Sequence, residues 1–241
     1  MKKTYCLIAI CISLLFSGPV FSETVRLATG EWQPFSGKEL PDYGLHAKKI
    51  KTVFTEMGYD VEFEFMPWKR AYEMTRKGDF VASFTWSKTQ DRVAEVNYPK
   101  NLLALSKEVG FYKKSRFPNG LDIKSLADIK AQDLKVVGMS SYWYETPLKD
   151  YKIKANIVSS SGLAWKILNA DRADLLMENI DVGKSESQVI LGAGKDAEFG
   201  VTAPFKTQQM YLIFSKSHPK SQELMKKYDA AVSKLKAEGK L

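Results

Sequence analysis

Residues 61–84 read VEFEFMPWKRAYEMTRKGDFVASF, and three periodicities follow one another within them. Val61, Phe63 and Phe65 alternate with Glu62 and Glu64, the two-residue repeat of a half-buried strand. Trp68–Lys77 fits a short helix, closed by Gly78. Residues 80–84 return to a strand. Upstream, 25–29 is a β-rich run ending at Gly30. Ala47, Ile50, Val53, Phe54 and Met57 then recur at helical spacing over 44–57, and Gly58 supplies the stop. The order β-α-β-α-β within about 60 residues forces a parallel sheet with right-handed crossovers.

The same order returns downstream without any sequence repeat. Residues 135–139 read as a strand, 144–149 as a short helix and 153–158 as a strand. Residues 162–169 read as a helix behind the capping run Ser159, Ser160, Ser161, and 173–177 as a strand. Two apolar stretches, 101–113 and 208–214, connect the units. A final amphipathic helix places Leu224, Met225, Tyr228, Val232 and Leu235 on one face. The expected fold class is therefore α/β: two lobes with parallel-rich sheets joined by two crossover strands. The boundaries expected are 23–106 with 207–241 for the first lobe and 107–206 for the second.

Residues 1–22, MKKTYCLIAICISLLFSGPVFS, carry a basic start, an apolar stretch, a Gly-Pro break, and small residues Val20 and Ser22 before a cut. That is the form of a secretory signal peptide cleaved near Ser22, so the mature protein is expected in the periplasm. Both cysteines, Cys6 and Cys11, lie in this segment. No disulfide or cysteine-held metal is expected after cleavage. At 44% hydrophobic and 27% charged residues the chain is not of disordered composition. No later stretch is long and apolar enough for stable membrane insertion. The lysines, as in 48–51 and 226–227, are spread over helical faces, which argues against nucleic acid as a partner.

Ligands on open parallel sheets bind beyond the carboxyl ends of the strands. Four segments follow strands here: 30GEWQPF35, 84FTWSKTQDR92, 140SSYWYE145 and 178ENID181. They share aromatic planes, hydroxyls and single charges, a composition suited to a small polar solute. Arg92 offers a planar fork of donors to a carboxylate, with Thr85 and Ser87 just upstream. The plainer reading pairs it with Asp91 or Glu95 at a helix start. Trp32, Trp68, Trp86, Tyr142, Trp143 and Tyr144 are too many large aromatics in turn segments for all to be core. Glu178 and Asn179 offer acceptors for an ammonium or amide. Beyond the first segment the histidines are His46 and His218, and no HExxH, GxSxG or P-loop is present. His46, near a helix start, reads as a surface residue. No cofactor, metal or catalytic residue is expected.

At these residues the chain resembles the bacterial extracellular solute-binding proteins of the polar amino-acid uptake family. The most specific piece is 78GDFVASFTWSKTQDRVAEVNYP99. By that resemblance Arg92 falls on the arginine that clamps a ligand α-carboxylate, with Thr85 and Ser87 on the hydroxyl positions and Trp32 on a stacking aromatic. Segments 161–179 and 235–241 are also family-like. The chain departs from the pattern at 44GLHAK48, around Tyr142–Trp143–Tyr144, and at Asn179, where the family places the aspartate that meets an α-ammonium. The resemblance implies a monomeric, non-enzymatic binding protein that closes on a small carboxylate-bearing solute and delivers it to an ABC-type membrane permease. It also admits two rivals: a periplasmic dehydratase or other lyase, with Glu178 as its acid, and a ligand-sensing partner of a membrane sensor.

Overall fold

The computed structural model describes residues 22–241, so the segment expected to be a signal peptide lies, apart from Ser22, outside the described residues. The first unit runs β1 (Glu23–Thr29), α1 (Leu45–Glu56), β2 (Tyr59–Phe65), α2 (Trp68–Lys77) and β3 (Ala82–Ser87), then α3 (Gln90–Glu95) and β4 (Val96–Asn97). β5 (Ala104–Lys113) leads into α4 (Leu126–Ala131), β6 (Val136–Met139), α5 (Glu145–Asp150), β7 (Ala155–Val158) and α6 (Ser161–Asn169). Next come β8 (Leu175–Asn179), α7 (Ile180–Leu191), β9 (Phe199–Val201), β10 (Lys206–Ser215) and α8 (Ser221–Ala237).

The strands order as β2-β1-β3-β10-β5-β8-β6-β7. β1 pairs in parallel with β2 and β3, and β6 in parallel with β7 and β8. Between these parallel triplets lie β10 and β5, antiparallel to each other over Lys206–Met210 against Ala104–Glu108. At its far end each of the two joins a different triplet: β10 pairs with β3 and β5 with β8. They are the two crossovers that link the lobes, as the sequence pattern predicts.

Each lobe has its own core. Leu27, Ile50, Phe54, Phe84 and Leu103 pack with Leu212, Phe214, Tyr228 and Leu235, so the C-terminal helix α8 returns to the first lobe. In the second, Phe111, Val137, Trp165, Leu168 and Phe199 form one cluster, and Ile129, Val136, Tyr144, Leu148 and Leu175 another. A smaller cluster of Trp32, Val182 and Met210 joins the lobes. Among the described residues no helix is long and apolar enough to cross a membrane.

Candidate functional site

A small cavity of about 40 Å³ lies between the lobes. Trp32, Trp68, Thr85, Trp86, Ser87 and Arg92 line it from one side. Ser141, Tyr142 and Trp143 face them, with Glu108 and Met210 contributed by the crossovers. Arg92, Ser141, Tyr142 and Trp143 also wall a wider groove of about 620 Å³, so the cavity adjoins it at the lobe boundary.

Local backbone geometry aims these side chains. β3 and β10 slip register between Tyr211 and Leu212, leaving Thr85 as the extra residue of a bulge at φ 72°. A left-handed threonine is costly, and a bulge of this kind re-aims a side chain. Thr85 Oγ1 lies 3.1 Å from His46 Nδ1. His46 is buried, not on the surface as its position near a helix start suggested. Burial, and then the charge of Lys49, lower its pKa to about 3, so it is neutral at ordinary pH. Trp68 packs edge-on against Trp86 at 5.2 Å and donates to the Glu31 carbonyl. It lies so close to Gly30 that a Cβ there would meet the indole at 2.5 Å.

Arg92 sits in α3 behind the Thr89 cap and is 9% exposed. Its Nη1 donates to the Ser87 hydroxyl at 2.7 Å and the Ser87 carbonyl at 3.0 Å. Nη2 donates to the carbonyl of Ser141 in the opposite lobe. The guanidinium lies 4.9 Å over Trp86. The acids that a structural role would supply are committed elsewhere. Asp91 accepts from Thr146 at 3.1 Å, and Glu95 accepts from Tyr72 at 2.7 Å. No ion pair of Arg92 forms among the described residues. Desolvation lowers its pKa, although the nearby Tyr98 and Tyr72, and then the carboxylates of Asp91 and Glu145, oppose this. All the direct hydrogen bonds of this buried cation go to neutral acceptors, while Asp91 and Glu145 act on its charge only from a distance.

Glu178 and Asn179 do not line this cavity. Glu178 Oε1 accepts from Trp32 Nε1 at 3.1 Å and from the Asn179 amide at 2.7 Å. Asn179 caps α7, its Oδ1 accepting from the Asp181 and Val182 amides. Its Nδ2 donates to Ser106. The acid that reaches the cavity is Glu108, 4% exposed and absent from the sequence expectations. Ser106 Oγ donates to its Oε1 at 2.5 Å, while the Trp143 indole N–H lies nearby without closing a hydrogen bond. Burial raises the Glu108 pKa against the opposing effects of Ser106, Trp143 and Lys206. β5 reads ALSKEVGFYK, with Lys107 and Lys113 charged as well, so the sequence alone did not single out Glu108.

No protein-family model matches this chain, and no curated protein does. Solved structures do match. A histidine kinase sensor domain with similarity to periplasmic binding proteins superimposes with a TM-score of 0.74 at 14% identity, covering 90% of this chain and 92% of the other. The fold is that of the periplasmic binding proteins. An ancestral arginine-binding protein bound to arginine gives 0.73 at 20% identity, over 90% and 94% of the two chains. An ancestral amino acid-binding protein, a precursor of cyclohexadienyl dehydratase, gives 0.70 at 20% identity, over 90% and 91%. At these identities the likeness establishes the two-lobed fold expected from the sequence. Among the described residues no three of His, Cys, Asp and Glu are grouped to hold a metal ion.

Proposed function

We propose that this protein binds a small carboxylate-bearing solute between its lobes, Arg92 clamping the carboxylate with Thr85 and Ser87 beside it. The observation that carries this reading is a buried guanidinium with no carboxylate in direct contact among the described residues, lining an interlobe cavity. Trp32, Trp68, Trp86, Tyr142 and Trp143 supply the aromatic wall. The moving bodies are 23–106 with 207–241, and 107–206, hinged where β5 and β10 run side by side. Closure presents a composite surface to a membrane partner, which reads occupancy by preferring one form. The form of residues 1–22 supports a periplasmic location, and the binding proteins among the structural matches support a non-enzymatic role.

The partner is a permease in this reading. The sensor-domain likeness keeps a signalling partner as the second possibility. A lyase on the same scaffold needs an acid at the ligand, and the candidate is Glu108 in place of the occupied Glu178. Incubation with prephenate or arogenate tests that rival, with turnover as its signature.

A thermal-shift screen of the mature protein against amino acids, organic acids and aromatic metabolites tests the main reading. A ligand at 100 times its Kd adds about 2.7 kcal/mol of stability. Arg92→Ala is expected to abolish that shift. A shift that survives in the variant, or no stabilising carboxylate in the panel, overturns the proposal.

A further inference from the structure

The groove of about 620 Å³ beside the cavity presents cations that its own acids leave unpaired. Lys69, Lys88, Arg92 and Lys206 line it without an ion pair among the described residues. Its acids are largely spent. Glu73 and Glu95 face Arg76, Glu145 pairs with Lys149, and Asp91 accepts from Thr146. Asp150 stands exposed at the end of α5. Resting on the reading of Arg92 as a carboxylate clamp, we propose that the solute carries a second anionic group, which extends into this groove and is received by Lys206 and Gln208 of β10. The solute is then a dianion with an acid at each end, and β10 is the element that distinguishes it from a monocarboxylate.

Three observations carry this. The first is register. Lys206 pairs opposite Glu108 and Gln208 opposite Ser106 where β10 meets β5. Residues two apart on a strand share a face, so Lys206, Gln208 and Met210 lie in one row. Met210 reaches the small cavity beside Arg92, and the other two line the groove. A solute that starts at Arg92 and follows this row meets Gln208 and then Lys206.

The second is a pair of donors with no acceptor. Gln208 is 6% exposed, and its Nε2 is buried without a hydrogen bond. The indole N–H of Trp143 is buried without one as well. Both residues line the groove. A buried donor left unpaired is costly, and an anionic group placed between them offers the acceptors they lack.

The third is how the cations are held. Arg92 lies 4.9 Å over the Trp86 ring and Lys206 Nζ 3.9 Å over the Trp143 ring, and both rings wall the small cavity. A ring face steadies an ammonium while leaving N–H donors for an anion. Glu108, the partner of Lys206 in register, acts on its charge from a distance and forms no ion pair with it. Burial holds that carboxyl toward its neutral form, so it is a poor counter-ion. Desolvation lowers the Lys206 pKa despite Glu108, as for an ammonium without a close anion.

Calorimetric titration with succinate, glutarate and adipate, and with butyrate, pentanoate and hexanoate as one-ended analogues of equal length, tests the proposal. In the unmodified protein at least one dicarboxylate should bind about ten- to a hundredfold more tightly than its analogue, the scale of one charge-assisted bond. Lys206→Met, which keeps an unbranched stem over Trp143, should remove most of that preference, and Lys206→Arg should keep it. Gln208→Leu should weaken the dicarboxylate by about tenfold. The wild-type comparison stands even if a variant fails to fold. Equal affinity within every pair, an equal loss of both members in Lys206→Met, or no dicarboxylate bound at all overturns the proposal. If a monocarboxylate binds and is lost in Arg92→Ala while no preference for a second acid appears, the Arg92 clamp stands and the role of β10 falls. If neither series binds, both fall.

Discussion

The indole N–H of Trp32 donates to the Glu178 carboxyl at 3.1 Å, tying the loop after β1 in one lobe to the end of β8 in the other. Together with the Arg92 to Ser141 contact it fastens the lobes on either side of the cavity. Both groups are buried, so the bond also satisfies polar atoms that closure takes from water.

Trp32→Phe removes that donor while keeping most of the apolar contact with Val182 and Met210. The unliganded variant should show a larger radius of gyration in small-angle scattering and lose about 1 kcal/mol of stability in denaturant titration. An unchanged scattering profile would mean that Trp32 is no latch.

His46 makes stability depend on pH. Its pKa falls from the ordinary 6.5 to about 3, chiefly because burial disfavours the charged ring. The unfolded chain therefore binds a proton that the folded one refuses. Its contribution is complete above pH 6.5 and is lost as the pH falls toward 3, at up to about 1.4 kcal/mol per pH unit. Calorimetric melting of wild type and His46→Asn between about pH 7 and pH 4 should show a shallower decline in the variant. Parallel declines would place the titration elsewhere.

Glu178 works in the opposite direction. Burial first, then the neighbouring Glu186 and Glu108, hold its pKa well above the ordinary value. Stability from the neutral form is present at low pH and is lost as the pH rises through the folded-state pKa. Glu178→Gln can still accept from Trp32 and the Asn179 amide. Its melting temperature should exceed that of wild type by a margin that widens from about pH 5 to pH 9. A margin that stays constant would contradict this.

Thr85 trades stability against binding. Thr85→Gly removes a side chain from a left-handed position, relieving about 1 kcal/mol of backbone strain. It also deletes the hydroxyl beside His46. The unliganded protein should melt no lower than wild type, while affinity for a bound carboxylate drops about tenfold. Unchanged affinity would remove Thr85 from the proposed ligand contacts.

Much of the fold was legible because apolar periodicity carried it: β1 through β3, the crossovers and α8 all alternate or repeat cleanly. Two helices were not. α4 is one short turn-and-a-half behind the Ser125 cap. α7 buries only Val182, Gly183 and Ser187 while Val189 stands 76% exposed, so no apolar stripe marks it. Missing α7 also hid the meaning of Asn179, a cap residue followed by Asp181 in the first turn.

At the site, the strand-end rule brought Trp32, Thr85, Ser87, Arg92 and Trp143 around one cavity. Asp91 and Glu95 are sequence neighbours of Arg92, yet only tertiary structure reveals that Thr146 and Tyr72 bind them instead. His46 was within reach of pattern reading, since it stands at helical spacing from the buried Ile50 and Val53. Glu108 depends on which way a crossover strand faces, and that is set by its pairing with β8 and β10.

The most direct measurement is a crystal structure of the complex with any carboxylate that raises the melting temperature. The account predicts a carboxylate oxygen about 2.7–2.9 Å from an Arg92 Nη, enclosed by Trp32, Trp86 and Trp143. A ligand bound elsewhere, with Arg92 still held only by Ser87 and Ser141, would contradict it.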